Sequence, residues 1–154
     1  MKLPDHWPAA QVELQAVASL VPYANNTRTH TPEQIDQIVA SMQEWGWTNP
    51  VLVDEAGVII AGHARVLAAQ KLGLADAPVM VARGWTDAQK RAYVIADNKL
   101  ALNAGWDMSR LAVEISDLKG LGFDLGLTGF SADELDRMAG GRSGLTHPDQ
   151  VPDL

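Results

Sequence analysis

The chain contains no cysteine. That excludes a disulfide framework, a thiolate zinc site and a cysteine nucleophile. Its 154 residues include no run of ~18 apolar residues, so no membrane-spanning helix is expected. The first residues, Met1-Lys2-Leu3-Pro4-Asp5-His6, carry no apolar signal core, which predicts a cytoplasmic protein without a membrane partner. Aromatic residues are sparse, at 6%, and positive charge is in deficit, with 12 Lys and Arg against 19 Asp and Glu. From Asp107 onward there are nine acids and four bases, so the first 106 residues hold a net charge of only -2. Bulk attraction to nucleic acid is therefore not expected, although a small basic site within the first part is allowed. What remains is an ordinary globular balance, 47% hydrophobic and 20% charged, enough for one domain with a small satellite.

Patterning divides the chain. Residues 12–17 alternate apolar and polar and read as a strand. Asn25 to His30 is polar and aperiodic, hence a loop. Thr31, Pro32 and Gln34 form a helix start with a capping box, followed by an apolar stripe of Ile35, Ile38, Val39 and Met42 and a stop at Gly46. Trp45 and Trp47 flank that stop and are expected to pack the turn. Residues 50–54 and 58–61 read as a hairpin around Glu55-Ala56-Gly57. Gly62-His63-Ala64-Arg65 then leads directly into a helix ended by Gly73, and residues 78–82 form a further strand. Thr86 to Gln89 opens a second capped helix running to Leu100. Asp107 caps a third with Leu111, Ile115 and Leu118, and Ser131 to Glu134 opens a short one over residues 135–138. From Gly140 the composition is that of a linker. The expected organisation is an N-terminal extension over 1–11, a domain over 12–106, a helical extension over 107–139 and a flexible linker over 140–154.

Three segments carry candidate chemistry. A glycine between strand and helix lets backbone approach a ligand, the first helical turn exposes N–H groups, and a guanidinium matches phosphate. Gly62, His63, Ala64 and Arg65 are thus a candidate phosphate cradle. The bland alternative is a simple helix start with His63 as its cap. Asp97 and Asn98 pair a carboxylate with an amide that can hold Mg2+, or merely end a helix in solvent. Asn26, Arg28 and His30 can hold a base, sugar or phosphate, or stabilise a turn. The four histidines lack metal-ligand spacing.

In chain order, Asn26-x-Arg28-x-His30, Asn49 to Val53, Ile59 to His63 with Arg65, Pro78-Val79 and Ala96 to Ala101 resemble the ParB-like N-terminal domain of the ParB/sulfiredoxin fold, over about residues 12–107. Ile95 to Ala101 with Trp106-Asp107 is most similar to the branch found with phage and bacterial DNA methyltransferases. The resemblance implies an α+β fold, a compact mixed sheet with packed helices, followed by small C-terminal helical pieces. It implies binding of a nucleoside triphosphate, CTP or ATP, with Mg2+. The phosphate would lie on Gly62 and Arg65 with Arg28 nearby, and the metal on Asp97 and Asn98. His63 and Ala64 replace Glu and Arg of the ParB turn, and the arginine that follows the ParB Glu-Asn pair, matched here by Asp97-Asn98, has no counterpart, since Leu100 and Ala101 lie there. No helix-turn-helix domain is read in the chain, and residues 145–153 look like a linker into a methylating domain. Sulfinate reduction is excluded because His63 stands where that chemistry needs cysteine.

These features predict a nucleotide-binding regulatory module serving a DNA-modification system. It would reach DNA through a fused or partner methyltransferase and could form a homodimer. Two alternatives stand beside it. One is a metal-dependent NTPase or nuclease with His63 as base, Asp97 on the metal and Arg65 stabilising the transferring phosphate. The other is a structural adaptor with a degenerate pocket.

Overall fold

The computed structural model describes residues 2–26 and 28–146, and resolves into two compact units, Met1–Ala104 and Gly105–Leu154. In the first unit, strands β1 (Glu13–Ala16), β2 (Val51–Asp54), β3 (Ile59–Ala61) and β4 (Asp76–Ala82) form one mixed sheet in the order β1-β4-β2-β3. Strands β2 and β4 are parallel, with Val51 opposite Val79 and Val53 opposite Val81. The β1–β4 and β2–β3 pairs are antiparallel. The expected hairpin is therefore the β2–β3 pair, its turn held by Asp54 Oδ1, which accepts from the N–H groups of Ala56 and Val58 at 2.9 Å each.

Helix α1 (Pro32–Trp45) begins at Thr31, whose hydroxyl accepts from Gln34 N. Gln34 does not return the bond to complete the box: its Oε1 accepts instead from His30 Nδ1 at 3.0 Å. Helix α2 is His63–Leu72 and α3 is Asp87–Leu102, the latter opened by a complete capping box between Thr86 and Gln89. The sheet is covered on both faces. Val51, Val53, Ile59, Val79 and Val81 pack with Val66 and Ala69 of α2, and Met42 of α1 and Trp47 close over them. Leu52, Ile60 and Ala82 point the other way and pack with Val94 of α3. This alternation explains why residues 51–53 are apolar without interruption: a strand buried on both faces has no solvent side to mark with polar residues. Each such Val or Ile contributes about 1.5–3 kcal/mol. The Trp47 indole N–H donates to Asn49 O at 2.8 Å, so it packs its turn as expected.

In the second unit α4 (Met108–Gly120) is capped by Asp107, whose Oδ1 accepts from Arg110 N at 3.1 Å. A 3-10 turn over Leu125–Thr128 follows, then α5 (Ala132–Thr146). Ser131 and Glu134 bond reciprocally at 3.1 and 2.8 Å, the capping box read from the sequence. The backbone of α5 continues through residues 140–146, which the composition had marked as linker. Glycine at 140, 141 and 144 costs a helix about 1 kcal/mol each but does not forbid it. The rest of that expected linker, 147–154, lies outside the described residues. No helix among the described residues is long and apolar enough to cross a membrane.

Candidate functional site

Strand β3 passes into α2 through one residue. Gly62 has φ +103°, in the left-handed region, and a Cβ there would lie 3.4 Å from Val51 Cα. The mouth of α2 is thus laid against the first residue of β2, an approach that glycine permits. Gly62 has no side chain to cap the helix, and the first turn contains no acid. The N–H groups of His63, Ala64 and Arg65 consequently have no acceptor among the described residues. Ala64 can contribute only this backbone group.

Arg65 is half-buried. No described residue forms a hydrogen bond or ion pair with its guanidinium. Burial lowers its pKa, and the charge of Asp97 opposes that effect. A guanidinium desolvated in this way gains by pairing with an anion.

His63 Nε2 accepts from the Tyr23 N–H at 3.1 Å. The neutral ring therefore carries its proton on Nδ1. Burial depresses the His63 pKa, and the nearby His30 adds to the effect. The loop before α1 is also tied to α3: Arg28 Nη1 donates to Asn98 Oδ1 at 2.9 Å, and Arg28 N donates to Asn26 Oδ1 at 3.2 Å. Asn98 Nδ2 in turn donates to Val94 O at 2.9 Å.

These contacts bring the loop residues Asn26 and Arg28 together with Asn98. His63 ties the same loop to the start of α2, and the charge of Asp97 reaches Arg65. His30 bonds into α1 and influences the site by its charge. One neighbour escaped the sequence reading. Tyr93, one helical turn before Asp97, donates its hydroxyl to Asp97 Oδ1 at 3.4 Å and meets Trp85 edge-to-face at 5.4 Å. Its pKa is raised by burial first and then by Asp97. The i, i+4 spacing of Tyr93 and Asp97 was the available signal.

Asp97 suits a magnesium ion that keeps waters and phosphate oxygens in its shell, because it is an exposed carboxylate. Asn98 does not suit one in this arrangement, since its carbonyl oxygen faces the Arg28 guanidinium. Among the described residues no three His, Cys, Asp or Glu side chains group at metal-holding distance.

A family model for the ParB N-terminal domain matches residues 5–99. A second, for the ParB-methyltransferase HTH domain, matches residues 109–154. This corrects the expectation that a helix-turn-helix domain is absent. The segment had hidden behind its charge: residues 107–139 hold seven acids and three bases, the reverse of the usual DNA-reading balance. The chain is 51% identical over 81 residues to the ParB-like nuclease domain-containing protein YnaK of Escherichia coli K12, covering 53% of this chain and 93% of that protein. Among solved structures it is similar to the C-terminally truncated chromosome-partitioning protein ParB of Caulobacter crescentus complexed with CTP-gamma-S. That match has a TM-score of 0.68 and 22% identity, covering 93% of this chain and 88% of that one. A Pnob8-like ParB-N domain matches with a TM-score of 0.50 and 16% identity, over 73% of this chain and 48% of that one.

Proposed function

The chain belongs to the ParB N-terminal domain family, and from that premise we propose that its first unit binds a nucleoside triphosphate at the start of α2, as a regulatory module of a DNA-modification system. The observation that carries this reading is the Arg65 guanidinium. It is half-buried, makes no hydrogen bond or ion pair with a described residue although the charge of Asp97 reaches it, and belongs to the same helical turn as three N–H groups without acceptors. A half-buried guanidinium beside the open first turn of a helix favours an anion.

In this reading the α2 N–H groups and Arg65 hold phosphate, and Arg28 adds a second guanidinium from the loop. His63 acts as a positioning residue and donor through Nδ1, because its Nε2 is occupied by the Tyr23 N–H. It is not placed to act as a base through that nitrogen. Asp97 would hold Mg2+ on the phosphates, where the ion supplies neutralising charge. The CTP analogue held by the Caulobacter ParB supports a nucleotide as the anion. DNA would be engaged through the matched HTH segment or a partner methyltransferase. The acidity of residues 107–139 favours assistance from a partner for that step.

Calorimetry with CTP, ATP, GTP and UTP in magnesium tests the reading. Saturable binding of one or more nucleotides is expected, without release of phosphate. Flat titrations with all four would leave the structural adaptor. Phosphate release, or magnesium-dependent nicking of plasmid DNA, would instead establish the enzyme reading to which the name of the YnaK relative points.

A further inference from the structure

The geometry points to Asn98 as a positioning residue that holds Arg28 in the nucleotide site, rather than as a ligand of the metal. This rests on the nucleotide-binding reading and assigns one of its residues a different task.

The orientation of the Asn98 amide is determined by its two neighbours. Its Nδ2 donates to Val94 O at 2.9 Å, and its Oδ1 accepts from Arg28 Nη1 at 2.9 Å. Exchanging the two ends would set an NH2 group against a guanidinium and a carbonyl against a carbonyl, so a single orientation satisfies both neighbours. In that orientation the only oxygen the side chain could offer a cation already faces a cation. Asp97, the adjacent residue, accepts from the Tyr93 hydroxyl.

The other end of the contact is equally specific. Arg28 sits in an aperiodic loop, and its backbone N–H donates to Asn26 Oδ1 at 3.2 Å. Val94 O, Asn98, Arg28 and Asn26 thus form a polar chain from the buried side of α3 to the loop, joining residues 70 apart in sequence. A free arginine side chain samples many rotamers. One held through a single N–H still has four others for an anion. Asn98 therefore places a phosphate-binding cation without consuming it.

The two roles separate by metal dependence. Nucleotide titrations with ATP and with CTP are run on wild type, Asn98→Ala, Arg28→Ala and the double variant, each in magnesium and in EDTA. Asn98→Ala is expected to weaken binding about tenfold in both media, as loss of a ligand's outer support does. The double variant should bind no worse than Arg28→Ala. A loss confined to magnesium, or two losses that simply multiply, overturns the assignment.

A second measurement needs no nucleotide. Trypsin cleavage after Arg28 is expected to accelerate in Asn98→Ala and to slow in Asn98→Asp, whose carboxylate holds the guanidinium more tightly. Asn98→Asp keeps the size of the side chain and guards against misfolding of the alanine variant. Unchanged cleavage in both variants overturns the Asn98–Arg28 tie itself. A wild type that binds neither nucleotide in either medium overturns the nucleotide-binding reading, and the role given to Asn98 falls with it even if the tie is real.

Discussion

The imidazole of His63 and the backbone of Tyr23 are joined by one hydrogen bond, N–H to Nε2, at 3.1 Å. It links the first residue of α2 to a loop 40 residues earlier, and it assigns the proton to Nδ1. Protonating Nε2 would set a ring N–H against a backbone N–H. The same event would charge a half-buried ring close to His30, and both burial and that neighbour hold the His63 pKa below its ordinary 6.5.

This arrangement predicts how stability varies with pH. The unfolded chain takes up the His63 proton at higher pH than the folded protein does. The stabilisation is therefore complete above about pH 6.5, is lost as pH falls below that value, and levels off once the folded ring protonates. Thermal melts of wild type should show this acid-side loss, and His63→Gln should flatten it. Parallel melting curves for the two proteins across that range would mean that the Tyr23 contact does not govern titration.

Arg65→Ala should leave the fold cooperative, since its guanidinium has no hydrogen bond or ion pair to another described residue to lose. Nucleotide binding should weaken by about 1.5–3 kcal/mol, the value of a hydrogen bond to a charged group, or roughly ten- to a hundredfold. Arg65→Lys should recover only part of this, because an ammonium cannot reproduce the planar fork. Calorimetry and thermal melts on the same samples check both halves. A variant that melts early with unchanged affinity would make Arg65 a structural residue.

Removing magnesium with EDTA should weaken nucleotide binding in wild type, and Asp97→Asn should erase the difference between the two media. Tyr93→Phe should reduce that difference partially while retaining the edge-to-face contact with Trp85, because it removes only the hydroxyl that meets Asp97. Equal affinity with and without the metal in wild type would remove Asp97 from the site.

Gly62→Ala should destabilise the first unit by about 1–3 kcal/mol, the cost of a non-glycine residue held in a disfavoured backbone region. Two observations lie behind this: φ of +103°, and a Cβ that would rest 3.4 Å from Val51 Cα, a backbone atom that cannot step aside. Chemical denaturation should show the loss directly. Gly46→Ala offers a useful contrast, since its φ of +78° carries strain but a Cβ there would meet nothing within 4 Å.

Much of the fold is legible in short windows. The capping residues Thr31, Thr86, Asp107 and Ser131 start helices where their side chains imply, because a cap acts on N–H groups two or three residues away. The β2–β3 hairpin follows from Glu55-Ala56-Gly57 for the same reason. The bounds of α5 are less legible: glycines suggest a linker where the backbone is helical to Thr146, since propensity is only a weak preference. The helix-turn-helix match was obscured by acidity, a bulk property that does not report on local backbone.

The amino-acid order alone determines where the capped helices begin, where the β2–β3 hairpin turns, and that a glycine stands between β3 and α2, because these depend on neighbours a few residues away. Only the tertiary structure decides that Arg28 meets Asn98, that Tyr23 meets His63, and that the Arg65 guanidinium is left without a hydrogen bond or ion pair among the described residues. Those pairings join positions tens of residues apart, and packing of the sheet between its helices is what brings them within hydrogen-bond reach.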